Sequence, residues 1–332
     1  MVQVRRGLST IPTAPISADI DTFRKEAFEA ERPLLLPRKS DLLKDSIPAA
    51  SRWFTEVPQR RGVADSASTD ELDIAPSTLS SHLHDFLEWP FPFELVVNQS
   101  SHDQSTLIVF RDWLLNSGDF ADQILAGILQ SATEGTGSRS FFQLHAPLRL
   151  LKRALSFNQE HGSGQTPPLM IYIAQSSLSD LPDVLQADVP TPNLVQKAGR
   201  GDVYSSSLWL GTEPTYTPLH RDPNPNLFYQ LCSRKVVRLL PPNIGDRVFF
   251  EIQVQLQQFN SSRIRTTDMM EGKEREALHE AIWVASEPVA EYLQEAQLAP
   301  GEALFIPKGW WHSVKSSHSR GHLNGSVNWW FR

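Results

Sequence analysis

Near the end of this 332-residue chain, two short segments bring together residue types that bind metals. One reads Thr217-Pro218-Leu219-His220-Arg221-Asp222, followed by Asn226 and Lys235. The other reads Gly301-Glu302-Ala303-Leu304-Phe305-Ile306-Pro307, followed by Trp310-Trp311-His312. Residues i and i+2 of a strand face one side, so His220 and Asp222 can both point into a single cavity. His312 lies 90 residues past Asp222 and must return on another strand. Two imidazoles and a carboxylate on one face of a metal leave other positions open. That is the ligand pattern of non-haem Fe(II) sites, which admit a co-substrate and O2. A closed structural zinc site would need a fourth protein ligand, typically cysteine. The single cysteine, Cys232, sits ten residues past Asp222 with nothing to bring it back.

Lys235 opens the apolar run Val236-Val237-Arg238-Leu239-Leu240. A lysine heading a buried strand is costly without a partner. A co-substrate carboxylate would be such a partner; an exposed strand edge is the alternative. Thr217, three residues before His220, offers a hydroxyl.

The elements that must position these residues follow from the apolar pattern. From Phe141 onward, short apolar runs bounded by Pro, Gly and Asn recur at 169–174, 205–210, 226–232, 235–240, 303–306 and 326–331, a pattern of sandwiches and barrels. Residues 268–298 read as helical, with Met270, Glu274, Ala277, Leu278, Ala281 and Ile282 at helical spacing. Upstream, Ser17 can cap a helix through Ile20, Phe23, Ala27 and Phe28, and Arg32-Pro33 ends it. Leu34–Leu36, Phe93–Val97 and Thr106–Phe110 read as strands. Residues 59–80 read as a polar loop with a helix start near Ser77 or Ser80. Trp113–Leu129 reads as helix broken at Gly118-Asp119. The expected fold is mainly β with α: a double-stranded β-helix (jelly-roll, cupin) barrel over 141–332 with a helical insertion at about 245–299. A helix-rich N-terminal region, 1–140, packs on it.

Composition narrows the function classes. The net charge of −7 disfavours broad nucleic-acid binding, a local basic groove aside. One cysteine allows no internal disulfide and suits a reducing compartment. No apolar run approaches the ~18 residues of a membrane span. Residues 1–18 carry Arg5 and Arg6 and no acid, a weak mitochondrial signal that Gly7, Pro12 and Pro15 interrupt. Cytoplasm or nucleus is therefore expected first. Other suggestive residues read blandly. His82-Leu83-His84-Asp85, His318 and His322 read as surface histidines. One of each Trp310-Trp311 and Trp329-Trp330 pair reads as core, because neighbours alternate faces. Arg221 and Arg238 read equally as entrance or surface charges.

The segment Thr217–Pro242, with Tyr172 in Met170-Ile171-Tyr172-Ile173-Ala174-Gln175, resembles the JmjC-domain 2-oxoglutarate oxygenases. It is most similar to their cupin-like, factor-inhibiting-HIF-type hydroxylase branch. Glu31–Pro37, Gln175–Pro192, Leu208–Gly211 and Gly301–His312 extend the resemblance across most of 20–332, while 40–140 and 245–299 match poorly. It implies that His220, Asp222 and His312 hold Fe(II). It also implies that Lys235, Thr217 and Tyr172 hold the distal carboxylate of 2-oxoglutarate, with Asn226 and Asn328 near its proximal end and Trp330 walling the pocket. The implied activity is O2-dependent hydroxylation of a protein side chain, with succinate and CO2 released. A lysine demethylase, a tRNA-base hydroxylase and a non-catalytic cupin-like module are the alternatives. Because the chain stops at Arg332, without the C-terminal helices through which some relatives dimerise, a monomer acting on a protein or peptide is expected.

Overall fold

Alternation of apolar and polar residues in short runs builds two facing sheets. A computed structural model describes residues 8–44, 47–57, 75–96, 101–133, 141–161, 167–257, 270, 272–284 and 289–332. The smaller sheet has the order β1 (Ser9–Thr10), β12 (Gln294–Leu298), β11 (Lys235–Leu240), β14 (Trp311–Ser316), β9 (Tyr216–Arg221). The larger runs β2 (Leu34–Leu36), β13 (Ala303–Ile306), β10 (Asn226–Cys232), β15 (Leu323–Phe331), β8 (Val203–Thr212), β7 (Ile171–Ser177), β5 (Pro90–Val96), β6 (Phe141–Pro147). A separate ribbon pairs β3 (Phe54–Glu56) with β4 (Ser77–Leu79). From β8 onward the chain crosses between the two sheets at every connection except β11 to β12. That path winds a double-stranded β-helix, the cupin jelly roll.

Three apolar layers follow from the strand faces. Between the sheets, Phe228, Val237, Leu239, Leu304, Ile306 and Val314 interdigitate. Outside the larger sheet, Leu210, Leu227, Val327, Trp329 and Phe331 pack against residues of the N-terminal half such as Phe23 and Trp53. Outside the smaller sheet, Leu219, Leu240 and Trp311 are covered by Val248, Phe249, Leu278 and Ile282 of the insertion.

The first 140 residues do more than cover the barrel: β1 pairs with β12, β2 with β13 and β5 with β7. Several expectations are corrected. Thr106–Phe110 is helical, inside Ser101–Leu115, and Thr106, Leu107, Phe110 and Leu114 are buried. Their spacing is that of a helix face, which the β-branched Thr106, Ile108 and Val109 mask. The first helix is capped by Asp19, whose carboxylate accepts from the Thr22 N–H, rather than by Ser17. Ser77–Leu79 is a strand, and a 3-10 helix begins at Ser81; most of the expected 59–80 loop lies outside the described residues. The insertion is helical over Pro242–Leu256 and Gly272–His279, but Gln294–Leu298 is a strand, pinned against β11. The β-rich half also contains the helix Arg149–His161. Among the described residues, no helix is long and apolar enough to cross a membrane.

Candidate metal centre and co-substrate pocket

Strands β9 and β14 run antiparallel with His220 directly opposite His312, and the imidazole centroids are 4.1 Å apart. Asp222 follows the end of β9. His220, Asp222 and His312 each offer a ligand atom, and these atoms all lie within 4.8 Å of one another. His312 Nε2 is 3.5 Å from Asp222 Oδ2, and both side chains are 4% exposed. His220 Nδ1 lies 2.8 Å from the Pro218 carbonyl and His312 Nδ1 3.2 Å from the Trp310 carbonyl. A carbonyl can only accept, so each Nδ1 carries a proton, and in the neutral ring the lone pair is then on Nε2. That fixed tautomer is what a metal-binding histidine needs.

A hydrogen-bond chain orients the carboxylate. Trp209 Nε1 donates to Asn328 Oδ1 (2.8 Å), Asn328 Nδ2 donates to Asn226 Oδ1 (3.2 Å), and Asn226 Nδ2 donates to Asp222 Oδ2 (3.0 Å). An indole N–H cannot accept, so the chain has one direction and sets the orientation of both amides. Trp330 pairs with Asn226 across β15 and β10 and is half-buried on that same face, while Trp329 lies in the core.

Lys235 is 1% exposed. Its ammonium donates to Ser326 Oγ (2.8 Å) and Tyr172 OH (3.1 Å) and lies 5.4 Å from the Phe228 ring centroid. Tyr172 gets there because Gly211 opposes it: a Cβ at Gly211 would lie 2.4 Å from Tyr172 Cδ2. Ser326 shares a face of β15 with Asn328, two residues on. Along β11, Lys235 is four residues from Leu239, the partner of His312, a separation of about 13 Å in extended chain. Below it, Gln230 Nε2 donates to Asn324 Oδ1 and to the Cys232 carbonyl, closing the barrel with polar groups.

Thr217 poses a geometric problem, since three residues of regular strand would turn it away from His220. The register between β9 and β14 resolves it. His312 pairs with His220 and Val314 with Thr217, so β9 spends one residue more than its partner. This bulge at Pro218-Leu219 returns Thr217 to the face of His220, because directly paired residues share a side. The Thr217 backbone carbonyl accepts from Ser313 Oγ (2.8 Å).

The other suggestive residues sort themselves. His82 is not a plain surface histidine: its Nε2 is 2.7 Å from Asp188 Oδ2, a carboxylate 1% exposed. His84 and Asp85 are exposed. Arg238 is a structural cation, bonded to Glu295 and stacked on Trp283. Arg221 lines a cavity beside Asp222.

The cupin-like domain family matches residues 45–332, most of the chain. The chain belongs to the cupin-like domain family. Among similar proteins of that kind, lysine-specific demethylase JMJ30 of Arabidopsis thaliana is 30% identical over 160 residues, 48% of this chain and 33% of the relative. Lysine-specific demethylase 8 of Danio rerio is 26% identical over 182 residues, covering 54% and 39% respectively. JmjC domain-containing protein D of Dictyostelium discoideum is 29% identical over 155 residues, covering 44% and 32%. This cupin-like chain thus spans about a third of the length of the curated relatives it matches.

Proposed function

We propose that this chain is an Fe(II)- and 2-oxoglutarate-dependent oxygenase that hydroxylates a protein side chain. The observation that carries the reading is the convergence of His220, Asp222 and His312 within 4.8 Å, with both imidazole Nδ1 atoms committed to backbone carbonyls. Two neutral imidazoles and one carboxylate suit Fe(II) and leave positions open. With 2-oxoglutarate and O2, the bound iron would supply oxidation of an unactivated C–H bond, with succinate and CO2 as co-products. The protein's own part is positioning and exclusion of water. Lys235 and Tyr172, with the Thr217 hydroxyl on the same face as His220, would hold the distal carboxylate of 2-oxoglutarate. The Trp209–Asn328–Asn226 chain would keep Asp222 aimed, and Trp330 would wall the cavity. The span from Lys235 to the level of His312 suits a five-carbon dicarboxylate reaching from the ammonium to the metal. The Cys232 thiol is buried, and burial pushes it up to about 12, so it is a poor nucleophile at neutral pH.

Anaerobic addition of Fe(II) and then 2-oxoglutarate to the apo-protein tests this. A visible metal-to-ligand charge-transfer band is expected, lost in His312→Ala and weakened in Lys235→Ala. No band in folded wild-type protein would reject the reading.

Because several relatives are named lysine-specific demethylases, removal of an Nε-methyl group is the second reading. Mass spectrometry of the product separates the two: hydroxylation adds one oxygen, whereas demethylation removes a methyl group and releases formaldehyde.

A further inference from the structure

Ser313 follows His312 on β14 but faces the other way. Val314 packs between the sheets, so alternation turns Ser313 outward, on the side where Trp311 lies under the insertion. Ser313 is 0% exposed, and a buried hydroxyl needs partners. They come from two distant parts of the chain. Ser313 Oγ donates to the Thr217 carbonyl at 2.8 Å and accepts from Trp283 Nε1 at 2.9 Å. The direction is fixed at both ends, because an indole N–H only donates and a carbonyl only accepts.

These bonds meet at the irregular point of the sheet. Ser313 stands opposite the bulge at Pro218-Leu219, where the ladder between β9 and β14 is interrupted. Pro218 has no N–H to offer there. The Ser313 hydroxyl bridges the gap, at the very residue whose facing the bulge decides. Trp283 is itself anchored. It belongs to the π-helical turn Glu280–Val284 of the insertion. Arg238 of β11 donates to the Ile282 carbonyl at 2.7 Å, and its guanidinium lies 4.7 Å from the Trp283 ring centroid. Lys315 Nζ lies 4.6 Å from the same centroid. The insertion thus rests on the sheet through an indole whose N–H reaches the serine behind Thr217.

We propose that Trp283 is a positioning residue for the co-substrate end of the site. Through Ser313 it holds the β9 bulge in the form that presents the Thr217 hydroxyl on the face of His220. Seating of the insertion and binding of 2-oxoglutarate are then linked, each favouring the other by the same factor. The inference rests on the oxygenase reading for the identity of the co-substrate, but not for the link from Trp283 to the bulge.

Trp283→Phe keeps an aromatic ring against Arg238 and Lys315 and removes the indole N–H. Hydrogen–deuterium exchange of the apo-protein reads the link. Amides of Tyr216–Arg221 and Trp311–Ser316 should exchange about fivefold faster in the variant, the order of one neutral hydrogen bond. Because Trp283 acts through Ser313, the double variant with Ser313→Ala should match Ser313→Ala alone. Anaerobic titration of the Fe(II)-loaded protein with 2-oxoglutarate, followed by the visible charge-transfer band, reads the consequence. The dissociation constant should rise about fivefold in Trp283→Phe, again the order of one neutral hydrogen bond, with Fe(II) affinity unchanged. In a Thr217→Val background, which lacks the hydroxyl, Trp283→Phe should add nothing. Unchanged exchange, unchanged 2-oxoglutarate affinity, a parallel loss of Fe(II) affinity or an equal effect in both backgrounds overturns the proposal. The wild-type band separates the two readings. A band with no effect of Trp283→Phe keeps the oxygenase and rejects the positioning role. No band rejects the oxygenase reading and the co-substrate role of Trp283 with it.

Discussion

Asp222 Oδ2 accepts from Asn226 Nδ2, and that single hydrogen bond ties the carboxylate to Asn328 and Trp209 behind it. Replacing the donor with an acceptor of the same shape isolates its contribution. In Asn226→Asp the new oxygen would face Asp222, and Fe(II) affinity should drop about 10- to 100-fold, the usual range for loss of a partner behind a metal ligand. Anaerobic titration against a competing chelator measures it; unchanged affinity would show that Asp222 needs no such support. Residue types and spacing made the three candidate ligands legible, and the fold brings them within 4.8 Å of one another. Three features were not legible. The carbonyls of Pro218 and Trp310, which fix the imidazole tautomers, belong to backbone that no side-chain pattern reports. Ser326, a partner of Lys235, looks like any strand serine. The roles of Asn226 and Asn328 toward each other depend on β10 and β15 being neighbours.

The strands show which parts of the fold could be read and which could not. β10, β11 and β13 match the apolar runs that announce them: β10 and β13 are buried on both faces, and β11 alternates until Leu239-Leu240. β12 (Gln-Glu-Ala-Gln-Leu) does not, since only Ala296 and Leu298 of it are buried and its polar residues continue a helical composition. The bulge in β9 is equally silent, visible only in the register with β14. β7 and β8 approach closely at Gly211, where there is no room for a side chain. Gly211→Ala would force Cβ against Tyr172 Cδ2 (2.4 Å) and the Ile171 carbonyl (2.5 Å). The expected cost is about 1–3 kcal/mol of stability, read by urea denaturation. Displacement of Tyr172 from Lys235 should also weaken 2-oxoglutarate binding.

At the scale of the molecule, one buried carboxylate joins the N-terminal segments to the residues ahead of the barrel. Asp188 is bonded to Trp53 Nε1 (2.9 Å), Arg52 Nη1 (2.8 Å) and His82 Nε2 (2.7 Å). Burial raises its pKa, but the bonds from Trp53, His82 and Arg52 outweigh it and hold the group below the ordinary value of 3.8. A depressed carboxylate stabilises the fold fully above that ordinary value, and the contribution is lost as pH falls through the folded-state value. Asp188→Asn should therefore cost about 2 kcal/mol at pH 5, and the gap to wild type should narrow as denaturation is repeated at successively lower pH below 3.8. A gap of constant size would assign the loss to packing rather than charge.

The junction between β11 and β12 has a different consequence. Leu239 pairs with Gln294, so residues 241–293 leave and rejoin the sheet at adjacent points. Their closure cost grows only slowly with length. This segment is in effect a replaceable cassette: its length and sequence can drift while its ends stay stapled in place. What it must preserve is a lid for the backs of Leu219, Leu240 and Trp311. A lineage built on this scaffold can therefore rewrite the outer wall behind the strands that carry His220 and His312 without moving either residue. Grafting one such cassette onto another barrel means matching two strand ends, one indole and the contacts of Arg221 with Asp246 and Arg238 with Trp283.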